Sequence, residues 1–462
     1  MASYEGQCVD PEHAHPLSRR EFLGGALVGA AALGLGACGS GRQGVSGATA
    51  PRVLPAGSRP YPTLPEGTDT IPEIEHIVVL MLENHSFDNL LGVLGRGDGF
   101  KLDVHGNPTA SNPYQGKTLH AFHMPTPCQL RAQPSNGWNA CHLSYDNGTC
   151  RGFAMSASGP VSMGYFDATD LPFTCSVAKT FPINDRYFCS VMAATFPNRR
   201  FLISGTALGI VKDTLPRALP PNGVIFQALS RYGVSWRDYH ASLPTLGVYV
   251  RLLEDSSLNS NVVGIEQFFA DARDGTLPGF SLVDPDFGTD SEENPQDVQY
   301  GDVFLAEVVN ALMDSPSWPR TLFIWTYDEH GGYFDHVPPP SAVVPDDVRP
   351  DITVPPDQPG GYDRYGFRVP MGVVSPYSKP DYVSHVTSDH TSILKLVETK
   401  WNLPALTKRD ANASNLLDMV DLRARPAFLE PPTLEKAANP SLRARCLTSG
   451  PGVIPPAGAL RG

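Results

Sequence analysis

An α/β fold built on a mostly parallel central sheet is what this 462-residue sequence predicts, on three observations. Thr321 to Val337 reads TLFIWTYDEHGGYFDHV, and its first seven residues are β-branched, aromatic or aliphatic without a charge among them. A strand buried on both faces of a parallel sheet reads this way. Ile74 to Leu82, IEHIVVLML, is a second, nearly all-apolar run. Ile393 to Trp401 places Ile393, Leu394, Leu396 and Val397 at a helical period. Both apolar runs stop abruptly at polar residues, Glu83-Asn84 in one and Asp328-Glu329 in the other. Ligands of open α/β sheets gather where strands end, so each stop is either a site of chemistry or a solvated acidic turn.

Composition sets the outer limits. Charged residues at 18% and hydrophobic residues at 41% describe a globular chain, long enough for one large or two ordinary domains. A formal net charge of −13 argues against nucleic acid as a partner, because phosphate binding needs clustered Lys and Arg. The 45 prolines and 43 glycines predict long ordered loops.

Residues 1–38 read as an address rather than as part of the fold. Ser18-Arg19-Arg20-Glu21-Phe22-Leu23 is a twin-arginine pattern, followed by the small apolar run Gly24 to Ala37. That run is too short and too rich in Gly and Ala for a stable bilayer anchor, which favours a cleaved signal for bacterial export of folded protein. Leu35-Gly36-Ala37-Cys38 resembles the lipobox of bacterial lipoproteins, which implies cleavage before Cys38 and lipidation of its thiol. The alternative is an ordinary small-residue cleavage site. On the lipoprotein reading the chain is held at the cell surface or in the periplasm, touching the membrane through its lipid. Residues 39–70, rich in Gly, Pro and Ser, then form a flexible tether, 71–425 a catalytic domain and 426–462 a Pro-rich tail. Six cysteines remain outside the signal and Cys38, at 128, 141, 150, 175, 189 and 446, and an even number in an exported chain predicts disulfides.

The elements follow in order. Ile74 to Leu82 is the first strand, and Asn89-Leu90-Leu91-Gly92 starts a short helix just beyond it. Asn84 or Ser86 could cap that helix, but capping leaves Glu83 unexplained. Residues 100–165 form a long loop or small insertion, in which His142 stands in Cys141-His142-Leu143-Ser144-Tyr145. Phe173 to Lys179 suits a helix. Pro197 suits a helix's first turn and would put Thr195 just before a helix N-terminus, where free N–H groups attract an anion such as phosphate. Thr195 is then either a plain cap or a nucleophile at an anion site. Val234 to Trp236, Phe280 to Asp284 and Val369 to Pro376 are further strand candidates, Asp290 to Asp297 is a charged loop, and Phe304 to Met313 has helical spacing. Ser388-Asp389-His390 opens the helix ending at Trp401, so His390 either caps it or faces a phosphate.

Glu83, Asn84, Thr195, Asn198, Asp328 and Glu329 thus emerge at strand ends and helix starts. Hard oxygen donors in this number suit one divalent cation, Mg²⁺, Ca²⁺ or Mn²⁺, rather than a thiolate-bound zinc. Carboxylates gathered at one place would otherwise repel.

These residues also carry a resemblance. ENHSFD at 83–88, TFPNR at 195–199, YDEHGGYFDHV at 327–337 and SDHTSILKLVE at 388–398 resemble, in the same order, the signature segments of the bacterial phosphoesterase family. That family includes the mycobacterial-type and plant non-specific phospholipases C and an acid phosphatase branch. The resemblance spans roughly residues 72 to 420 and implies a three-layer, alkaline-phosphatase-like α/β/α sandwich. It implies that Glu83, Asn84, Asp328 and Glu329 bind the metal and that Thr195, sharing it, is the nucleophile. Asn198 would hold the phosphoryl oxygens, and His142 and His390 would lie near the phosphate or the leaving group. Four positions depart from the family pattern. His85 stands for a usual Arg, Phe196 for a common Asp, Asn294 for a frequent His, and Cys150-Arg151 for a frequent Met-Asp, the last giving a pocket mouth that a disulfide could pin. The implied activity is phospholipase C on phospholipid, through a phosphothreonine. An acid phosphomonoesterase acting on small phosphate esters and a non-catalytic surface lipoprotein are the alternatives.

Overall fold

In chain order the strands of the central sheet are β1 (His76–Leu82), β2 (Ile183–Asn184), β3 (Trp236–His240), β4 (Val262–Gly264), β5 (Phe280–Asp284), β6 (Thr321–Tyr327), β7 (Met371–Val374) and β8 (Val383–Ser384). They lie in the order β8-β2-β7-β6-β1-β5-β3-β4. This is a computed structural model, and it describes residues 52–129, 133–439 and 450–461. The expected signal, residues 1–38, and its lipidation candidate Cys38 lie outside the described residues.

The two apolar runs are neighbours. β1 and β6 pair parallel, from His76 opposite Thr321 to Leu82 opposite Tyr327. β5 flanks β1 on its other side, also parallel. Within this sheet β7 runs against both its neighbours, β6 and β2, and the remaining pairs are parallel. Every residue of β5 and β6, and all of β1 beyond His76, is buried, as a sheet covered on both faces requires.

The helices used below are α1 (Phe87–Leu91), α2 (Trp138–Tyr145), α3 (Pro172–Thr180), α4 (Thr195–Ser204), α5 (Ile225–Arg231), α6 (Ile265–Asp274), α7 (Val298–Met313) and α8 (His390–Trp401). α4 packs against α5 and α8, while α7 packs against α3 and α6. With the sheet between these two groups, the molecule is the predicted α/β/α sandwich. Among the described residues no helix is long and apolar enough to cross a membrane.

Three expectations need correction. Residues 53–70 are not a free tether: the Gly57 and Thr70 N–H groups donate to the Ala405 and Lys400 carbonyls at 2.7 Å each, and Asn402 Nδ2 holds the Tyr61 carbonyl at 3.0 Å. Unmet backbone groups near a folded surface find such partners, and they tie the segment down. The tail is likewise part of the body, since Leu460 pairs with Leu119 in a small antiparallel sheet and the Phe428 ring packs against Phe181 at 4.7 Å. Val53–Gly462 accordingly forms one unit. Finally, Cys141, Cys150, Cys175 and Cys189 carry free, buried thiols, so no disulfide pins the pocket mouth at Cys150. Each of the four fills an apolar or tightly packed place as a small hydrophobe. Cys128 stands outside that group, and Cys446 lies outside the described residues.

Candidate active site

Because β1 and β6 run parallel and end level, Glu83-Asn84 and Asp328-Glu329 leave the sheet side by side. The N–H groups of Asn84 and Glu329 both donate to Asp328 Oδ1, at 3.1 and 2.7 Å. Asn84 takes a left-handed backbone with φ of 70°, which asparagine tolerates better than most residues. Gly331 has φ of 63°, and a Cβ built on it would lie 1.8 Å from the Asn84 carbonyl oxygen. Only glycine lets the 328–332 loop cross there. Glu329 is fixed by Asn136 Nδ2 at 2.7 Å and by the Gly331 N–H at 2.8 Å.

His390, first residue of α8, uses both ring nitrogens. Nε2 lies 2.7 Å from the Asp328 carbonyl oxygen and Nδ1 lies 3.1 Å from the Tyr187 hydroxyl. A carbonyl cannot donate, so Nε2 carries the proton and Nδ1 accepts from Tyr187. Burial lowers this imidazole to about 4, keeping it neutral.

Thr195 opens α4, with Ala194 as the N-cap, one position later in the helix than the sequence predicts. It is 8% exposed, and its hydroxyl has no hydrogen-bond partner among the described residues. The plain-cap reading therefore fails. Asn198, three residues on, turns its amide back onto the preceding loop: Nδ2 donates to the Val191, Ala193 and Ala194 carbonyls at 3.3, 3.0 and 3.1 Å, and Oδ1 accepts the Val191 N–H at 3.1 Å. It clamps the segment that delivers Thr195. The next N–H after Thr195, that of Phe196, donates to Asp213 Oδ1 at 2.7 Å.

One side chain ties α4 to the strand ends. Arg199, 2% exposed, sits one turn from Thr195 on the same face of the helix. It reaches Asp284 Oδ1 at 3.0 Å, Glu83 Oε1 at 3.3 Å and Asp328 Oδ2 at 3.7 Å. Even so, burial raises Asp328 to about 7 and Glu329 to about 8. Glu83 is raised well above the usual carboxylate range, first by burial and then by the Asp328 charge. The Glu293 carboxyl shares a hydrogen bond with Glu83. So many carboxylates out of water call for a cation beyond one guanidinium.

The donors present fit such a cation. Asn84 Oδ1 and Asp328 Oδ2 are buried oxygens without a hydrogen-bond partner, which native structures leave rare. Two other groups, Asp88-Asp335-His336 and His123-Asp167-Asp170, bring three ligand atoms within 4.8 Å of one another among the described residues. In the first, Arg368 already bonds Asp88 and Asp335 at 3.1 and 2.9 Å. The second runs from an exposed His123 to a buried Asp170, with His123 Nε2 2.7 Å from Asp170. The strand-end carboxylates Glu83, Asp328 and Glu329 do not form a third such group among the described residues.

His142 on α2 joins this cluster by no hydrogen bond or ion pair among the described residues. Its Nδ1 donates to the Trp138 carbonyl at 2.7 Å and its ring packs against Trp138 at 4.1 Å. It lines a cavity of about 340 Å³ with Tyr145, Met192, Gln358 and Arg364. Asn294 donates to the Tyr333 hydroxyl at 3.0 Å. Sequence reasoning missed Asn136, Asp213, Glu293 and the bridging role of Arg199. Arg199 lies inside the TFPNR segment, which was the available signal; Asn136 and Asp213 had none.

A family model, that of the phosphoesterase family, matches residues 74–404. Phospholipase C B of Mycobacterium tuberculosis is 31% identical over 418 residues, 77% of this chain and 79% of that protein. Non-specific phospholipase C5 of Arabidopsis thaliana is 32% identical over 404 residues, 77% of this chain and 75% of that protein. Among solved structures, an alkaline phosphatase superfamily protein from Vibrio parahaemolyticus aligns with 70% of this chain and 76% of its own, at 12% identity and a TM-score of 0.36, too distant to carry an argument.

Proposed function

This chain belongs to the phosphoesterase family and is a phosphoric ester hydrolase, and we propose that its reaction is that of a phospholipase C with Thr195 as nucleophile. The observation that carries this reading is Thr195 at the start of α4, its hydroxyl making no hydrogen bond among the described residues, on the helix face whose Arg199 pairs with Glu83 and Asp328.

Glu83, Asn84, Asp328 and Glu329, with Thr195, would hold one divalent ion, of Mg²⁺, Ca²⁺ or Mn²⁺ type. When bound, that ion would supply positive charge that eases loss of the Thr195 proton and offsets charge building on the phosphoryl oxygens. Thr195 Oγ then attacks phosphorus. The Oγ–P bond forms as the bond to the glycerol oxygen breaks, releasing diacylglycerol and leaving the phosphorylated head group on Thr195. Water attacks the same phosphorus, frees the head group and restores the hydroxyl. In the first turn of α4 Pro197 has no N–H and the Phe196 N–H is held by Asp213, so the Thr195 N–H is the donor left for a phosphoryl oxygen, and Asn198 keeps that turn in place. His390 acts by positioning, since its Nε2–H holds the Asp328 backbone and its other nitrogen is spent on Tyr187. His142 has its Nε2 unengaged and is suited to exchange a proton with the leaving oxygen or the incoming water. Export by the twin-arginine route, with lipid anchoring at Cys38 beside a membrane surface, completes the proposal and rests on residues 18–38.

The test is hydrolysis of phosphatidylcholine against a simple monoester, with divalent metal added or chelated, for the wild type and Thr195→Ala. Metal-dependent diacylglycerol release, lowered at least about a thousandfold by Thr195→Ala, is the expected result. Monoester turnover alone would identify a phosphomonoesterase, and no turnover of either ester under any metal would sink the mechanism.

A further inference from the structure

We propose that Asp213 makes this site select phosphodiesters over phosphomonoesters, by holding a fixed negative charge at the helix terminus where the phosphoryl oxygens arrive. Asp213 has this role only if Thr195 is the attacking group, the reading given above.

The N–H of Phe196 is the backbone donor immediately after Thr195, and it is taken by Asp213 Oδ1 at 2.7 Å. Among the described residues no ion pair within 4 Å neutralises Asp213. The carboxylate belongs to an exposed stretch, Lys212 to Leu215; burial raises it, while the Phe196 N–H and the Arg200 and Arg199 charges lower it, and its own charge is a lesser cause of the raised Glu329 and Glu293. Thr195, the residue before Phe196, is 8% exposed and its hydroxyl makes no hydrogen bond among the described residues, and Asp328 Oδ2 is buried without a hydrogen-bond partner. Incoming ester must therefore place its phosphoryl oxygens next to a carboxylate and compete with it for the Phe196 N–H. The Coulomb penalty grows in proportion to the charge of the arriving group. A diester carries one negative charge, whereas a monoester at pH 7 carries about 1.5 to 2. Asp213 thus burdens the monoester, and free phosphate, more than the diester.

The experiment uses the metal-loaded full chain with two soluble esters that share a nitrophenolate leaving group, one diester and one monoester, together with inorganic phosphate as inhibitor. Asp213→Asn keeps an acceptor for the Phe196 N–H while removing the charge. The diester-to-monoester ratio of kcat/KM should fall roughly tenfold, mostly because the monoester improves, and phosphate should inhibit more strongly. Asp213→Glu, which keeps the charge, should keep most of the wild-type ratio. Asp347→Asn, at a 97% exposed side chain paired with Lys408, should not move it. Thr195-dependent turnover with an unchanged ratio in Asp213→Asn overturns the role of Asp213 alone. Turnover that survives Thr195→Ala overturns the reading of the site, and this role with it.

Discussion

Arg199 carries a larger electrostatic load than any other side chain of the site, with three carboxylates within 3.7 Å of its guanidinium. Removing one partner of a buried ion pair leaves the others uncompensated, at about 3–5 kcal/mol. Arg199→Met should therefore lose about that much stability in urea unfolding without metal, and a loss below about 1 kcal/mol would show that the carboxylates are neutral by other means. Arg199→Lys should recover only part, because an ammonium cannot span three acceptors as a planar fork does. Asp290 gives a test with a pH axis. Burial raises its carboxyl to about 7, against an ordinary value near 3.9. Between those values the folded chain holds a proton that the unfolded chain has lost, so this group costs stability as pH rises through the window, and the full cost applies above about 7. Asp290→Asn keeps an acceptor for the Asp286 N–H, 2.6 Å away in the wild type, and should raise the melting temperature at pH 8 more than at pH 4. An equal change at both would refute the assignment. At this scale the sequence revealed residues that interrupt a pattern: Glu83, Asn84, Asp328 and Glu329 each end an apolar run. It concealed residues whose meaning lies in a distant partner. Asn136 and Glu329 are 193 positions apart, and nothing local to Asn136 announces the contact.

The decisive element is the pair β1 and β6, whose level ends set two acidic dipeptides side by side. The loop after β6 keeps that geometry through Gly331. Gly331→Ala meets both a positive φ and a 1.8 Å approach to the Asn84 carbonyl, so Asn84 must move. Metal-dependent turnover should fall below detection in this variant, and retention of even a tenth of it would mean that the loop is not what holds Asn84. Asn136→Ala is gentler, since it frees Glu329 without a clash. A supporting partner of a metal ligand is worth roughly 10–100-fold in affinity or activity, and metal titration of this variant should show a loss in that range. Both strands were legible because an uncharged, mostly apolar run of that length has few other readings. α4 was legible from Pro197, but its start was placed one residue off: Thr is the better N-cap by preference, whereas the loop held by Asn198 makes Ala194 the N-cap and puts Thr195 inside the first turn.

Across the whole molecule, the sandwich followed from apolar runs and one helical period, because burial on both faces leaves a strong mark in sequence. The docked segment 53–70 and the packed tail did not, as their Pro- and Gly-rich composition describes their conformation and not their hydrogen-bond partners. Cysteine parity counted thiols without placing them, and Cys141, Cys150, Cys175 and Cys189 are free. Metal binding should stabilise the folded chain as a unit: free ion at about 100 times its Kd adds about 2.7 kcal/mol, and chelation should lower the melting temperature of the wild type but not of Asp328→Asn. The central claim, that Thr195 is the nucleophile, is tested most directly by stopping turnover of a phosphate diester in acid and mapping phosphate on the chain by peptide mass spectrometry. The account predicts phosphorylation of Thr195, formed only with divalent metal and absent from Asp328→Asn. Full turnover with Thr195 unmodified, and persisting in Thr195→Ala, would contradict it.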